Sequence, residues 1–258
     1  LKIRSLIEAI EWNSKKLYLR ILAIGNIFWK PSKSISYDKV VQLLGKNKDH
    51  FFIQVGANDG KTGDALYEVI KKEKWKGILL EPVPYLFNKL IENYKNNTDL
   101  IFLNAALDVN NGQAPFYSIK EFDNNGTELS RFGATNALNQ LGSFDLNTLM
   151  LHSGMHPDFK NLIEVINVNT ITFSTLISKY NVKKIDILQI DTEGYDFTLL
   201  NEIDFKLLYP QILIFEYIHM TRSEYKKILK KLRKMGYKFY INGYNSIGIK
   251  NELFFESF

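Results

Sequence analysis

The sequence predicts a doubly wound α/β fold: a mostly parallel, seven-stranded sheet with an antiparallel closing strand and helices on both faces. Three observations predict it. Short, nearly all-apolar runs recur along the chain, as strands buried on both faces require. Segments of helical periodicity alternate with them, the pattern of parallel strands joined by crossover helices. The first apolar run closes on a glycine-rich turn, where such sheets bind ligands.

The first strand is Phe51–Val55, followed by a helix through Ala65, Leu66, Val69 and Ile70. Residues 77–81 form the second strand, 85–94 its helix and 100–104 the third strand. Apolar runs at 185–190 and 212–216 supply two more, with helices near 196–201 and 222–235. The last two strands, 237–241 and 246–250, flank Asn242-Gly243, a strong hairpin signal. In the helix over 222–235, Tyr225, Ile228, Leu229, Leu232 and Met235 share one face. Lys226, Lys227, Lys230, Lys231 and Lys234 take the others, which reads as a solvated outer face.

The 258 residues are 45% hydrophobic and 24% charged, an ordinary globular balance. They divide into an N-terminal helical arm, 1–48, and a main domain, 49–258, interrupted by an insertion at about 108–172. The absence of cysteine excludes disulfides and thiolate metal sites and fits a reducing, cytoplasmic compartment. The sequence opens on Leu1 rather than Met, which leaves a preceding leader open. The net charge is +5, yet the arm alone holds ten Lys/Arg against Glu8, Glu11 and Asp38. The main domain therefore lacks the basic excess that tracking nucleic acid would need. The arm's Leu6, Ile7, Ile10, Leu17, Ile21, Leu22 and Ile24 suit amphipathic helices among basic residues. Its uncharged run, 21–29, is too short to span a membrane. A helical cap on the domain or on a second copy is expected, with contact to an anionic membrane or a partner as the alternative.

The turn Gly56-Ala57-Asn58-Asp59-Gly60-Lys61-Thr62-Gly63 follows the first strand. Its glycines let backbone approach a ligand, beside the free N–H groups of the next helix. Dinucleotide sites use Gly-x-Gly-x-x-Gly to press backbone against a pyrophosphate, and Asn58 stands where that second glycine would be. Glu81 closes the second strand, 25 residues after Gly56, where a carboxylate can accept from both ribose hydroxyls. A nucleoside without pyrophosphate or 2′-phosphate is expected, and S-adenosylmethionine meets both conditions.

Four ordered blocks sharpen this reading: Phe51-Phe-Ile-Gln-Val-Gly-Ala-Asn-Asp-Gly60, Gly77-Ile-Leu-Leu-Glu-Pro-Val-Pro84, Asn104-Ala-Ala-Leu107 and Asp191-Thr-Glu-Gly-Tyr-Asp196. Together they resemble the FkbM-type methyltransferases from about residue 49 to 250. The resemblance implies a Rossmann-like class I methyltransferase sheet and S-adenosylmethionine as donor. It implies a hydroxyl of a sugar, glycan or polyketide as the usual acceptor. By position, Gly56, Ala57, Asn58 and Gly60 would line the donor's methionine part, with Asp191 near. Glu81 and Pro82 would hold the ribose, and Ala105, Ala106 and Leu107 would lie by the adenine. Gln54 departs from the family's usual acid at the end of the first strand, though an amide can still bond the methionine ammonium. Phe173-Ser174 stands where a Leu-Asp pair is common, a change expected to affect packing only.

Methyl transfer to oxygen needs acceptor oxygen, methyl and sulfur in line, and a base for the hydroxyl proton. Asp191 and Glu193 follow the fourth strand, where extended backbone would put both on one face, and Glu216 ends the fifth. His219, three residues beyond, is the preferred base because histidine titrates near neutrality, and Asp191 is the alternative. Asp191, Glu193 and Glu216 could also offer oxygens to Mg²⁺, and His152-x-x-x-His156 with Asp158 is a second candidate cluster. Pro157 argues against a helix presenting both histidines, and a divalent metal is an open but unfavoured reading.

The insertion far exceeds an ordinary connection, and strands are expected in it at 115–119 and 166–171. Its polar, glycine-bearing stretches, with Arg131, Thr135 and Asn136, suit a substrate lid that binds a sugar. Two other functions share the sheet: an NAD-dependent sugar oxidoreductase or epimerase, disfavoured by the glycine spacing, and a non-catalytic scaffold in glycan assembly. Oligomeric state is open.

Overall fold

A computed structural model describes residues 33–45, 49–121 and 138–254. In chain order its elements are α1 (Tyr37–Leu43), β1 (Phe51–Val55), α2 (Tyr67–Glu73), β2 (Lys76–Leu80), α3 (Pro84–Asn93) and β3 (Leu100–Leu103). Next come β4 (Ala106–Leu107), β5 (Gly112–Ile119), β6 (Gly142–Ser143), α4 (Leu146–Met150), α5 (Phe159–Leu162), β7 (Ile163–Ile171) and α6 (Phe173–Lys179). The chain continues through β8 (Ile185–Ile190), α7 (Asp196–Glu202), β9 (Pro210–Glu216), α8 (Arg222–Arg233), β10 (Tyr237–Asn242) and β11 (Asn245–Lys250).

Seven strands form one sheet in the order β10-β11-β9-β8-β1-β2-β3. All run parallel except β11, which is antiparallel to both neighbours. The antiparallel strand is thus inserted between β9 and β10 rather than added at the edge. Strand order reverses at β1, which pairs with β2 on one side and β8 on the other. The ends of β1 and β8 therefore open the crevice where such sheets take ligands.

Alternation along these strands feeds two cores. Ile53, Val55, Leu188 and Leu213 pack with α6, α7 and α8 residues such as Leu176, Leu200 and Leu229. Phe52, Leu79, Ile187 and Ile212 pack with Val40 of α1, Ile70 of α2 and Leu90 of α3 on the other face. Strands buried on both sides must be apolar at nearly every position, which is why the sequence shows runs rather than alternation. Helix α8 has the expected split: Tyr225, Ile228, Leu229 and Leu232 are buried, and a Thr221–Glu224 capping box starts it. Lys231 departs from the solvated face, since its Nζ donates to the carbonyls of Leu200, Asn201 and Ile203.

The insertion builds a second sheet, β4-β7-β5-β6, around an antiparallel β5–β7 pair that runs from Gly112↔Thr170 to Ile119↔Ile163. The strands expected at 115–119 and 166–171 are parts of this pair. One face packs on α3 through Phe116, Val168 and Leu86. The other is covered at its Ile119–Ile163 end by Leu138, Leu149 and Phe159 and open beyond it, where Val165 is 61% exposed.

The described end of the arm belongs to the sheet domain. Ser34 forms a parallel bridge with Ile241, and Val40 is wholly buried. Residues 1–32, and with them the arm's amphipathic stretch, lie outside the described residues, as do Arg131, Thr135 and Asn136. Among the described residues, no helix is long and apolar enough to cross a membrane.

Candidate active site

The crevice begins where β1 turns away. Gly56 has φ 76°, and a Cβ on it would lie 1.8 Å from the Asp191 carbonyl oxygen. Only glycine allows β1 and the end of β8 to approach so closely. The N–H groups of Gly56 and Ala57 both donate to Leu80 O, at 3.0 and 2.9 Å, which ties the turn to β2. Asn58 takes the left-handed conformation, φ 51°. Its N–H donates to Glu81 Oε2 and that of Val83 to Oε1, each at 2.8 Å. Burial pushes the Glu81 carboxyl up to about 7, against the pull of those two bonds. The resulting cleft, open to solvent, is lined by Gly56, Asn58, Glu81, Pro82, Ala106, Leu107 and Asp191. Val83, Phe116, Phe144, Thr192 and Glu193 complete much of its wall.

The second half of the site is the turn after β8. Asp196, buried at the start of α7, accepts from Thr192 N–H (3.2 Å), Thr192 Oγ1 (2.8 Å) and Glu216 N–H (3.2 Å). Burial pushes it up to about 6 against those bonds. Asp191 is held well above the ordinary range by burial and then by Glu193, Asp196 and Asp64. Glu216 is pushed up to about 10 by burial and then by Glu193, Asp191 and Asp196. Burial acts the same way on Glu193, but the facing imidazoles of His152 and His219 outweigh it and hold this carboxyl at about 2. Glu193 Oε2 lies 3.5 Å from His152 Nε2 and 3.3 Å from His219 Nε2, and Glu216 Oε2 lies 3.3 Å from the same His219 nitrogen. Crowded carboxyls of this kind make a region that attracts cations.

Glu193 reaches this place by an unexpected route. The strand ends at Ile190, and Glu193 has φ 48°, so a left-handed turn rather than extended alternation carries it there. The insertion buttresses the turn: Ser143 Oγ donates to Glu193 O at 2.8 Å, and the Phe144 and Tyr195 rings lie 4.9 Å apart.

Several expected residues sit elsewhere. Gly60 meets packing rather than the cleft, since a Cβ there would lie 2.3 Å from Leu90 Cδ1. Ala57 is buried in the core on the α2–α3 face, and Ala105 packs on the opposite core. Gln54 is buried, and its amide donates to Asp64 Oδ2 at 3.1 Å. His219 and Glu216 stand beside Glu193, outside the cleft wall. His156 does not join His152; its Nδ1 accepts from Asp158 N–H at 3.0 Å. Sequence reasoning missed Asp64, the pairing of His152 with His219, and Tyr37 of α1. The Tyr37 hydroxyl is pushed up to about 12 by burial and then by Asp191 and Asp64. None of these has a spacing signature, because each is brought in by tertiary folding.

Among solved structures, a methyltransferase FkbM from Methylobacillus flagellatus KT is 10% identical, with TM-score 0.48, and the match covers 78% of this chain and 43% of that one. The chain thus spans less than half of that protein's length. The Methanococcus jannaschii fibrillarin pre-rRNA processing protein is 11% identical at TM-score 0.38, over 80% of this chain and 68% of the other. The METTL16 methyltransferase domain is 10% identical at TM-score 0.43, over 83% and 65%. No curated protein matches the chain. The family described as "Methyltransferase FkbM domain" matches residues 54–239, from the end of β1 to the first half of β10, and takes in both halves of the site. With its seven-stranded, mostly parallel sheet of class I methyltransferase type, the chain belongs to the FkbM methyltransferase family.

Proposed function

We propose that this methyltransferase moves a methyl group from S-adenosylmethionine to a hydroxyl oxygen of a sugar, glycan or related small metabolite. The observation that carries the reading is one cleft lined both by Glu81 and by the acidic turn at Asp191 and Glu193. The lining suits the donor: Glu81 for the ribose hydroxyls, Val83, Ala106, Leu107 and Phe116 for an apolar base, and Asp191 for positive charge. When bound, S-adenosylmethionine supplies an electrophilic methyl on a sulfonium.

The chain's own residues then have two tasks. Asp191, at the cleft wall, takes the hydroxyl proton as the O–C bond forms and the C–S electron pair goes to sulfur. Glu193, backed by His152 and His219, fixes the acceptor oxygen in line. His219, the base favoured by residue type alone, becomes a positioning residue because it lies behind Glu193. Asp191→Asn is expected to cut turnover by about 10²–10⁴-fold, well beyond the roughly 10-fold loss of S-adenosylhomocysteine affinity that removing its charge brings. Calorimetric titration with S-adenosylhomocysteine and with NAD tests the donor, and labelled-methyl incorporation into hydroxyl acceptors tests the reaction. Binding of NAD alone would overturn the reading.

A further inference from the structure

Beside the cleft, three segments distant in the chain bring together His152, Glu193 and His219, and one ligand atom from each lies within 4.8 Å of the others. His152 comes from the insertion, Glu193 from the turn after β8 and His219 from the loop after β9. The contacts between them run 3.3–3.5 Å, from Glu193 Oε2 to His152 Nε2 and to His219 Nε2. Glu216 Oε2 adds another 3.3 Å approach to His219 Nε2. Bonds of about 2.0–2.1 Å from zinc to nitrogen or carboxylate oxygen place tetrahedral ligand atoms about 3.3–3.4 Å apart. The two edges that meet at Glu193 Oε2 therefore already have the length of a tetrahedral zinc site's, and the His152–His219 edge closes within 4.8 Å.

A second observation is independent of spacing. His152 Nε2 and Glu216 Oε2 are both buried, and neither makes a hydrogen bond. Buried polar atoms are normally satisfied, and an imidazole nitrogen left so beside a carboxylate and a second imidazole points to an electrophile held among the three. The donor sulfonium does not fill this role, because the imidazoles stand outside the cleft that would hold it.

We infer that His152, Glu193 and His219 bind a divalent transition-metal ion of the zinc class, with Glu216 Oε2 beside the remaining coordination position. Two imidazoles with a carboxylate suit zinc, iron or cobalt, whereas magnesium and calcium favour oxygen-only sets. Three protein ligands and an open position are the arrangement of a catalytic ion rather than a structural one. Because Glu193 also lines the cleft, an acceptor oxygen bound at that position would lie next to the donor, with Asp191 left to receive its proton. That role rests on the methyl-transfer reading; binding of the ion does not.

The test uses the full chain, stripped with chelator and titrated with Zn²⁺ and Co²⁺. One equivalent of each is expected, with the intense visible absorption of four- or five-coordinate Co²⁺. Outer ligands alone are worth about 10–100-fold in metal affinity, so His152→Ala and His219→Ala should each weaken binding by more than about 100-fold. His152 is the more exposed of the two histidines, so its variant is the one better placed to stay folded, as circular dichroism would verify. The wild-type Co²⁺ spectrum needs no variant at all. No stoichiometric uptake, an octahedral Co²⁺ spectrum, or wild-type affinity in both variants would overturn the inference. S-adenosylhomocysteine titrated into the stripped protein separates the two ideas. Donor binding without metal uptake sinks only the metal site, and metal uptake without donor binding sinks only the proposed function.

Discussion

The two sheets of this molecule do different work. In the central sheet, β1, β2 and β8 are buried on both faces, and their ends form one side of the cleft from backbone turns and a few short side chains. In the insertion sheet, burial alternates along β7, one face packs on α3 and the other meets solvent at Val165, Asn167 and Asn169. That second unit supplies Phe116, Gly142 and Phe144 to the cleft, and the segment between its strands sends His152 to Glu193. Where the site is made of backbone, almost no substitution fits; where it is made of side chains on a half-solvated sheet, sequence can drift. Under the proposed function, the donor falls to the first region and acceptor choice to the second.

The sharpest way to break the comparison is Gly56→Ala. The added Cβ would lie 1.8 Å from a backbone oxygen, at a φ of 76° that alanine resists, and β8 cannot retreat without giving up its pairing with β1. A cost of about 4 kcal/mol or more is expected, which lowers Tm by roughly 10 °C in a domain of this size. Thermal melting checks it. A variant that melts like the parent would show that the close approach of β1 to Asp191 is not obligatory.

The same contrast governs what could be read from sequence. Doubly buried strands leave apolar runs that cannot be mistaken, so β1, β8 and β9 were legible to within two residues. Gly56 and Glu81 were legible because turn and strand end are local features with fixed spacing. Gly60 fell in the right motif for another reason, as it clears Leu90 and Tyr94. His152 was visible only as half of a false pair with His156, since nothing local links it to Glu193 forty-one positions on. Gln54 read as a weakened ligand, whereas its amide is engaged by Asp64. The pairing of β5 with β7 was likewise hidden: each strand was apparent, but registry between segments some fifty residues apart is a tertiary choice.

A smaller loss is expected from Glu81→Gln. Charge-assisted bonds to the ribose hydroxyls would become neutral ones, a difference of about 1.5–3 kcal/mol, or roughly 10–100-fold in S-adenosylhomocysteine affinity by calorimetry. Retained affinity would remove Glu81 from the donor site. Smaller again is its pH dependence. With the free carboxyl near 7, the ionised form that accepts from ribose is lost as pH falls through that value. Affinity should therefore drop by about tenfold per pH unit below 7. Stability of the free protein runs the other way. A carboxyl raised above its unfolded value of 4.5 contributes fully below that pH, and its contribution is lost as pH rises through 7. Opposite slopes for donor affinity and stability, both flattened in Glu81→Gln, are the signature.

The least effect is expected on the open face of the insertion sheet. Val165 lies opposite Tyr117 in the β5–β7 ladder and is 61% exposed, so Val165→Thr keeps the branched strand-forming shape and removes a methyl from water. Chemical denaturation should place the change within about 0.5 kcal/mol, and donor affinity should not move. The informative quantity is the KM for the acceptor. If it too is unchanged, acceptor choice lies on the cleft-facing side with Phe116 and Phe144. If it rises while stability and donor binding hold, the acceptor extends across the outer face of the insertion sheet.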